Sequence, residues 1–417
     1  MVALFRGAKV YENGVIKVKD MLFDGVSVSL FTGDVSAFDP TRIFDNIAIF
    51  PGFCDVHVHL REPGFSYKED MASGTRASAR GGYTTVLAMP NLKPTPDSPE
   101  SLGVELSAIE RSAVIEVLPY GAITVGQRGE ELSDMEGMAK DAIAFSDDGR
   151  GVQTPTLMRE AMERAKSLGK MIVAHCEDNS LLFGGYIHDG EYARAHGHAG
   201  ICSESEWGPI KRDIELVRET GCPYHVCHIS TKESVDLIRE AKREGLPVSC
   251  ETGPHYILLD DSMLEEDGRF KMNPPLRSPS DREAILAGVL DGTIEMIATD
   301  HAPHSAEEKA KGLKGSAFGV VGIETAFPLL YTNLVMTGLM PLADLVALFT
   351  DKPRERFGIT KDAGFTVFDL GCEYEINPDK FLSKGKSTPF KGATVSGRCL
   401  ATVYRGKAAY LADDFCE

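Results

Sequence analysis

Histidine and aspartate residues recur in short clusters along this sequence, and both are common ligands of divalent metal ions. The first cluster is His57-Val58-His59, whose two imidazoles point to the same side of a β-strand because strand side chains alternate. A His-x-His pair alone is weak evidence for a metal site. The other candidate ligands follow at wide intervals along the chain: Asp147 or Asp148, His175, His228 and Asp300.

The residue types in this set suit a pair of metal ions. About six nitrogen and oxygen ligands can hold two divalent ions that share a bridging carboxylate, with open positions for water. A set without a thiolate favours Zn²⁺, although Mn²⁺, Co²⁺ or Fe²⁺ fit the same ligands. Two such ions lower the pKa of a bridging water from ~15.7 to about 7 and polarise a carbonyl oxygen. We therefore expect hydrolysis of a carbonyl compound.

Asp300 is the candidate general acid/base for this chemistry. A carboxylate beside the ions can accept a proton from water and return it to a leaving nitrogen. The alternative for Asp300 is a purely structural ligand or a helix N-cap.

Other polar residues near these clusters are candidates for binding a substrate. Arg61 lies two residues after His59 and suits a two-pronged hydrogen bond to a carboxylate, whereas a surface ion pair is the alternative. Asn91 and Asn273 could bond the same anion or a ring amide, or could instead be turn residues. The segment 310–318 has the glycines and lysines of a mobile lid, although an ordinary solvated loop fits it equally well.

Short apolar runs alternate with longer amphipathic segments between residues 52 and 353, which predicts strands alternating with helices. The predicted strands are residues 53–58, 84–89, 115–123, 142–145, 171–174, 224–227, 247–250 and 295–298. The helices predicted most clearly are residues 154–168, 208–219, 232–244 and 280–290. This alternation fits an α/β fold of the (β/α)8 TIM-type barrel better than an open doubly wound sheet, since no G-x-G-x-x-G follows an early strand.

The candidate ligands fall at the ends of these predicted strands. In a barrel, the carboxyl ends of all the strands meet on one face, and active sites lie there. Residues that are far apart in the sequence are therefore expected to form a single site.

The two ends of the chain differ from its middle. Residues 1–50 and 358–417 contain short alternating segments separated by turns such as YENG, and neither part is long enough to build a good core alone. We therefore expect both termini to form one small β-sandwich, with the barrel of residues 51–357 inserted between them.

The composition excludes several classes of protein. The 417 residues carry a formal net charge of −18 without any run of basic residues, which argues against nucleic acid or an anionic membrane as a partner. Residues 319–340 are the least charged stretch, but Glu324 and Pro328 interrupt it, so a packed helix fits better than a membrane span. Nine cysteines without a C-x-x-C pair, and no signal-peptide pattern, predict a reduced cytoplasmic protein.

Longer motifs carry a resemblance to a known family. They are PGFCDVHVHLREPG, GGYTTVLAMPN, FSDDG, VAHCED, HIST, KMNPPLR, ATDHAPH and FGVVGIETAFPLL, in this order. Over residues 50–357 the chain resembles the bacterial class I dihydroorotases of the amidohydrolase superfamily, most specifically in HLREPG and DHAPH. The resemblance implies a metal-binding barrel with a small β-sandwich built from both termini. It also implies reversible hydrolysis of the cyclic amide of (S)-dihydroorotate to N-carbamoyl-L-aspartate, a step of pyrimidine (UMP) synthesis.

The resemblance implies a role for each candidate residue. By this resemblance, the expected zinc ligands are His57 and His59 for one ion and His175 and His228 for the other, together with the carboxylates of Asp148 and Asp300. Asp148 resembles the bridging carboxylate, with Asp147 as the competing choice, and Asp300 resembles the metal-bound general acid/base. The residues that resemble substrate contacts are His59, Arg61, Asn91, Asn273, His304, Phe318 and Gly319.

Two other interpretations remain open from the sequence. A dihydropyrimidinase, hydantoinase or allantoinase opens similar rings, but its substrates lack the carboxylate that Arg61 would bind, and it usually relies on a carboxylated lysine, for which Lys140 would be the candidate. An inactive dihydroorotase-like scaffold subunit for a transcarbamoylase would not need the complete ligand set. A homodimer and an aspartate transcarbamoylase partner are compatible with the resemblance, and the sequence decides neither.

Overall fold

The structure is a computed structural model, and it describes residues 2–360 and 364–416. The predicted terminal segments include residues 1, 361–363 and 417, which lie outside the described residues. The described chain forms seventeen β-strands and fifteen α-helices, numbered here in chain order. The strands are β1 (Ala3–Glu12), β2 (Val15–Phe23), β3 (Val28–Leu30), β4 (Ile43–Phe44), β5 (Ile47–Pro51), β6 (Phe53–Val58), β7 (Tyr83–Ala88), β8 (Glu116–Pro119), β9 (Ile172–Ala174), β10 (Ile187–His188), β11 (Gly200–Ile201), β12 (Tyr224–Val226), β13 (Val248–Thr252), β14 (Met296–Ile297), β15 (Phe365–Glu375), β16 (Thr394–Tyr404) and β17 (Lys407–Leu411). The helices are α1 (Met71–Arg80), α2 (Pro99–Ser112), α3 (Met135–Met138), α4 (Pro155–Ser167), α5 (Glu191–His196), α6 (Glu204–Thr220), α7 (Lys232–Arg243), α8 (Pro254–Leu258), α9 (Pro279–Leu290), α10 (Ala306–Lys309), α11 (Gly312–Gly315), α12 (Ala326–Leu330), α13 (Leu342–Phe349), α14 (Asp351–Phe357) and α15 (Asp413–Cys416).

The central strands form a ring of parallel pairs. Strands β6, β7 and β8 pair in that order, and β9, β12, β13 and β14 pair in theirs. Single parallel bridges join the two groups through Phe145, which pairs with Gly121 beyond β8 and with Ile172 in β9. A further bridge joins His301, beyond β14, to Val58 in β6, so the pairing returns to the first strand. The chain therefore has the predicted (β/α)8 barrel type of α/β fold.

Two predicted strands are shorter than expected by three residues or more. Of residues 142–145, only Phe145 makes a β-bridge, and β8 ends at Pro119 instead of continuing to residue 123. The reason lies in the residues beyond β8: the amides of Ile123 and Thr124 donate to a carboxylate oxygen of Asp147, at 2.8 and 3.1 Å, and not to a neighbouring strand. A side chain thus replaces the sheet as the hydrogen-bond partner of this segment.

The helices that were predicted most clearly are present as α4, α6, α7 and α9, which pack side by side in this order. Helix α9 begins after a capping box in which Ser278 and Asp281 bond each other's backbone amides. Helix α7 buries Val235, Ile238 and Ala241, whose spacing places them on one face. Each helix returns the chain to the same end of the ring, so the strands run parallel. In the described residues, no helix combines the length and the apolar character that crossing a bilayer requires.

Strands from both ends of the chain form one sheet of eight strands. Its order is β17-β16-β15-β5-β1-β2-β3, with β4 beside β1. Strand β5, from the N-terminal part, pairs parallel with β1 and antiparallel with β15 from the C-terminal part. The pairing of β5 with β15 therefore joins the two ends of the chain in one sheet. The domain boundaries expected after residues 50 and 357, and the division of this sheet into a sandwich, stay predictions.

A cluster of buried phenylalanines joins this terminal sheet to the barrel. Phe50 in β5 and Phe368 in β15 belong to the sheet, while Phe53 in β6 and Phe327 in α12 belong to the barrel segment. The ring centroids of Phe327 and Phe368 lie 4.5 Å apart, and those of Phe53 and Phe368 lie 5.5 Å apart. The barrel and the terminal sheet therefore share one apolar core at this junction.

Candidate metal centre and active site

The predicted site residues meet at the carboxyl ends of the barrel strands, around a cavity of about 210 Å³. The residues that line it are His59, Arg61, Asn91, Asp148, Gly149, His175, His228, Asn273, Asp300, Ala302, His304, Phe318 and Gly319. His57 lies just behind this lining, with its Nε2 3.4 Å from Asp148 Oδ1 and 3.5 Å from Asp300 Oδ1. All the site residues expected from the sequence are therefore brought together.

Asp148 stands at the centre of the four histidines. Its Oδ1 lies 3.4 Å from His57 Nε2, 3.5 Å from His228 Nε2 and 3.6 Å from His175 Nδ1. Its Oδ2 lies 3.5 Å from His59 Nε2. Burial by itself would raise the pKa of Asp148, but the adjoining imidazoles hold this pKa well below its ordinary value. One ionised carboxylate is thus within reach of both pairs of candidate metal ligands.

The neighbouring Asp147 faces a different part of the structure. Its carboxylate accepts hydrogen bonds from the amides of Ile123 and Thr124 and from the Thr124 hydroxyl. Burial raises the pKa of Asp147 to about 6. Asp147 therefore holds the backbone beyond β8, whereas Asp148 faces the cavity. Lys140, the alternative source of a bridging carboxylate, is exposed and does not line the cavity.

The chemistry of these atoms fits bound metal ions. His57 Nε2 and Asp148 Oδ1 are buried and have no hydrogen-bond partner in the described structure, which is costly for polar atoms unless another group satisfies them. Three sets of three ligand atoms lie within 4.8 Å of one another, and all are buried: His57, Asp148 and His228; His57, His59 and Asp300; and His57, Cys227 and Glu251. A divalent cation would satisfy these atoms, so the site could hold a metal.

The backbone is strained at the site. Arg61, His228 and Asp300 have φ values of 60°, 32° and 44°, in the left-handed region that non-glycine residues rarely adopt. Such conformations cost free energy and persist where the surrounding structure enforces them, often at functional sites. Each of these residues lies just beyond a barrel strand, where the chain turns to direct a side chain into the cavity.

Arg61 is buried beside His304. Its Nε donates to the carbonyl of Pro303 at 3.2 Å, and one of its terminal nitrogens lies 3.2 Å from His304 Nε2. Burial and the charge of Arg61 lower the pKa of His304 to about 3, so the neutral ring can accept this hydrogen bond. Among the described residues, no carboxylate lies within 4.0 Å of the guanidinium. The alternative of a surface ion pair is therefore wrong for Arg61.

The two candidate asparagines have partners inside the site. Asn91 Oδ1 forms a hydrogen bond of 2.8 Å with His59 Nδ1, and its Nδ2 donates to Asp148 Oδ2 at 3.2 Å. Asn273 Nδ2 donates to Glu177 Oε1 at 2.9 Å. Both side chains line the cavity, and Asn91 also orients two candidate metal ligands. Their roles as substrate contacts stay predictions.

Sequence reasoning missed Glu251, which lies in β13 beneath the cavity. Its Oε1 is 2.7 Å from His57 Nδ1, and its Oε2 is 3.1 Å from His225 Nε2. The side chain is fully buried, and the two imidazoles overcome the effect of burial and lower the pKa of Glu251 to about 2. A charged residue directly after the predicted strand 247–250 was the signal that could have revealed it, because such residues are rarely buried without a partner.

The segment after Asp300 folds against the cavity. It contains the short helices α10 and α11, and it buries Leu313 and Ser316. Phe318 remains 38% exposed at the rim, and the Gly319 amide donates to the carbonyl of Lys271 at 3.1 Å. Residues 310–318 are thus neither a wholly solvated loop nor detached from the barrel, and their motion as a lid stays a prediction.

Comparison with known proteins agrees with this geometry. The family model described as Dihydro-orotase-like matches residues 47–234. The dihydroorotase of Bacillus licheniformis is 48% identical over 97% of each chain, that of Listeria welshimeri is 48% identical over 98% of this chain and 99% of its own, and that of Bacillus subtilis is 47% identical over 96% of each. The fold resembles an L-hydantoinase (dihydropyrimidinase) from Arthrobacter aurescens, with a TM-score of 0.82 at 24% identity over 98% of this chain and 96% of the other. Because its similarity to the curated dihydroorotases extends over nearly the whole length of both chains, this chain belongs to the dihydroorotase family.

Proposed function

We propose that this chain is a zinc-dependent dihydroorotase, which reversibly hydrolyses the cyclic amide of (S)-dihydroorotate to N-carbamoyl-L-aspartate in pyrimidine synthesis. Membership of the family supports the class of reaction. One observation carries the proposal for this site: the Asp148 carboxylate lies within 3.6 Å of four imidazoles, and a buried arginine without a carboxylate partner among the described residues lines the same cavity.

The metal ligands would come from residues around Asp148. The proposed ligands are His57 and His59 for one zinc ion, His175 and His228 for the other, Asp148 between them, and Asp300. When bound, two such ions lower the pKa of a water molecule and polarise a carbonyl oxygen. Cys227 lies near His57, and burial raises the pKa of its thiol well above the ordinary value. The proposed ligands are nitrogen and oxygen atoms, a set that suits zinc.

Arg61 would bind the carboxylate of the substrate. Its planar guanidinium can donate two parallel hydrogen bonds to a carboxylate, and the bonds to Pro303 and His304 hold it in place. Asn273 and Gly319 line another part of the cavity and would contact the ring. Binding at these points would direct the ring amide toward Asp148 and its histidines.

Asp300 would move the proton. Burial would raise the pKa of Asp300, but the imidazoles of His57 and His59 hold it well below its ordinary value, so the carboxylate is ionised. An ionised carboxylate beside the attacking water can act as a general base. It would take the proton that the attacking water loses and return it to the ring nitrogen as the carbon–nitrogen bond breaks. In the reverse direction the same carboxylate would remove the proton from the carbamoyl nitrogen.

The alternatives are less well supported. Hydantoinases share the fold at identities under 25%, which is evidence for the fold alone, and their rings lack the carboxylate for which Arg61 is suited. A catalytically inactive scaffold would leave the buried ligand set without a purpose. Further proposals rest on the resemblance: a homodimer, an aspartate transcarbamoylase partner and a cytoplasmic location. The division of the chain into a barrel domain (51–357) and a second domain (1–50 with 358–417) is also a proposal.

The test combines turnover with metal content. The purified protein, supplied with zinc, should hydrolyse dihydroorotate, followed by the ultraviolet absorbance of the ring amide, and should contain about two zinc ions per chain. The variant Asp148→Asn should lose both properties, whereas Asp141→Asn, at an exposed position, should keep both. Turnover of hydantoin without turnover of dihydroorotate would favour the other cyclic amidases. A protein that binds no metal and turns over neither substrate would support the scaffold interpretation.

A further inference from the structure

A buried lysine lies behind the cavity wall, outside the proposed catalytic residues. Lys309, the last residue of α10, is only 7% exposed. Its Nζ donates to three backbone carbonyls, those of Gly319 at 2.7 Å, Ala317 at 2.9 Å and Lys271 at 3.0 Å. An ammonium group has three hydrogen-bond donors, so all of them are used. In the described part of the chain, it forms no ion pair with an acidic residue.

Keeping this amine inside the protein is unfavourable unless its hydrogen bonds are made. A buried charge without a counter-ion loses hydration that carbonyl dipoles replace only in part. Burial and the charge of the neighbouring Lys271 lower the pKa of Lys309 to about 7. A methionine of similar size would fill the space without this cost, so packing alone does not explain a lysine at this position.

The three carbonyls belong to two walls of the cavity. Lys271 precedes the cavity residue Asn273 by two positions, and Ala317 and Gly319 flank the cavity residue Phe318. The carbonyl of Lys271 also accepts a hydrogen bond from the Gly319 amide. One ammonium group therefore ties the wall that carries Asn273 to the wall that carries Phe318 and Gly319.

The wall at Gly319 has little room to adjust. Gly319 has a φ of 129°, and a Cβ atom at this position would lie 2.7 Å from the carbonyl oxygen of Ala302, which also lines the cavity. The backbone is thus pressed against the segment that connects Asp300 with His304. A small displacement of Gly319 would change the width of the cavity, because packed side chains have no free space to absorb it.

A second lysine supports the outer part of the same segment. Lys271 Nζ donates to the carbonyl of Lys314 at 2.9 Å and lies 4.5 Å from the centroid of the Phe318 ring. Its contacts are at the rim, whereas those of Lys309 are at the wall itself. Of the two lysines, only Lys309 donates hydrogen bonds to the backbone of both cavity walls.

We propose that Lys309 is a positioning residue for substrate binding, and that its ammonium group holds the Asn273 and Gly319 walls at the separation that the substrate requires. This inference rests on the proposed function for the identity of the substrate. It predicts a change in KM with kcat nearly unaltered, because the Lys309 ammonium bonds none of the candidate metal ligands, Asp300 included.

The kinetic test compares Lys309→Met with Lys314→Met, whose exposed side chain lies in the same segment. In Lys309→Met we expect KM for dihydroorotate to rise about tenfold, comparable to losing one charge-assisted hydrogen bond, and kcat to stay within about twofold. Lys314→Met should match the wild type. An unchanged KM, or a fall in kcat at constant KM, would overturn the inference. If Lys309→Met does not fold, Lys309→Gln, which keeps an amide donor, carries the same test with a smaller rise in KM.

Hydrogen exchange gives a readout that does not depend on turnover. Amides in a peptide spanning residues 310–322 should exchange faster in Lys309→Met than in the wild type or in Lys314→Met, because the Gly319 wall is released. Equal exchange in all three proteins would overturn the inference. Faster exchange in a protein whose wild type does not act on dihydroorotate would support the positioning of the wall and overturn the proposed function.

Discussion

At the scale of single residues, the site is organised by groups that touch the candidate metal ligands as much as by the ligands. Glu251 joins His57 to His225, and Asn91 joins His59 to Asp148. Such partners fix the orientation of an imidazole and raise its basicity, so they contribute to metal affinity without contacting the metal. The candidate ligands could be named from the sequence, but these supporting contacts could not.

Replacing Glu251 should weaken metal binding. In Glu251→Gln the negative charge beside His57 is lost while the shape is kept, so we expect zinc affinity to fall by about 10- to 100-fold. The measurement is competition with a zinc chelator. Glu240→Gln, at an exposed position on α7, is the matched control and should bind zinc like the wild type. Equal affinities in the two variants would show that Glu251 does not support His57.

Replacing Arg61 should separate acidic from neutral substrates. We expect Arg61→Ala to lower kcat/KM for dihydroorotate by about 100-fold or more, since two charge-assisted hydrogen bonds of ~1.5 kcal/mol each would be lost. Any turnover of hydantoin, which has no carboxylate, should change less than about threefold. Arg61→Lys should recover little, because an ammonium group cannot donate two parallel bonds to one carboxylate. Equal losses on both substrates would contradict the assignment.

At the scale of elements, the loop that carries His228 is held by a helix outside the site. Glu206 on α6 accepts hydrogen bonds from the amides of Ser230 and Thr231, at 2.9 and 3.1 Å, and Arg277 lies 3.6 Å from its other oxygen. These contacts fix the turn between β12 and α7, in which His228 adopts its left-handed backbone conformation. The position of a candidate metal ligand thus depends on the packing of a neighbouring helix.

Removing the Glu206 carboxylate should destabilise the protein strongly. Glu206→Ala leaves several buried donors and the Arg277 charge without their acceptor, so we expect the free energy of unfolding to fall by about 3–5 kcal/mol. Urea denaturation, followed by far-ultraviolet circular dichroism, measures the change. Glu215→Ala, which breaks an exposed ion pair on the same helix, should cost under about 0.5 kcal/mol. Similar midpoints for the two variants would argue against this role.

At the scale of the whole molecule, the terminal sheet and the barrel are coupled by the aromatic cluster around Phe368. Its ring contacts Phe53 and Phe327 across the junction, and all three are almost fully buried. A shared core makes separate unfolding of the two parts unfavourable, since either part alone would expose this apolar surface to water. We therefore expect a single unfolding transition.

The variant Phe368→Ala tests this coupling. We expect it to lower the free energy of unfolding by about 3–5 kcal/mol, because a large buried ring is replaced by a cavity. Loss of tertiary signals from the barrel and from the terminal sheet should remain simultaneous in thermal unfolding. The control is Phe183→Ala, whose ring is 82% exposed and whose removal should cost under about 0.5 kcal/mol. Two separate transitions in the wild type would show that the parts fold independently.

The sequence by itself determined the fold class and the chemical character of the site. Alternating apolar and amphipathic segments predicted a parallel barrel, and the barrel rule placed His57, His175 and His228 on one face, because the carboxyl ends of parallel strands meet there. These inferences depend on local periodicity and on a general property of the fold. Neither requires knowledge of which way an individual loop turns.

Only the tertiary structure decided which groups face each other. The amides of Ile123 and Thr124 donate hydrogen bonds to Asp147, and Asp148 is the aspartate that faces the cavity. The sequence alone does not show which of these two adjacent residues takes which position. Lys309 has no distinguishing signal in the sequence, and both Lys309 and Glu251 acquire their partners only when distant segments pack together. The physical reason is that hydrogen-bond satisfaction of a buried polar group is a property of its surroundings in space, and those are set by the complete fold.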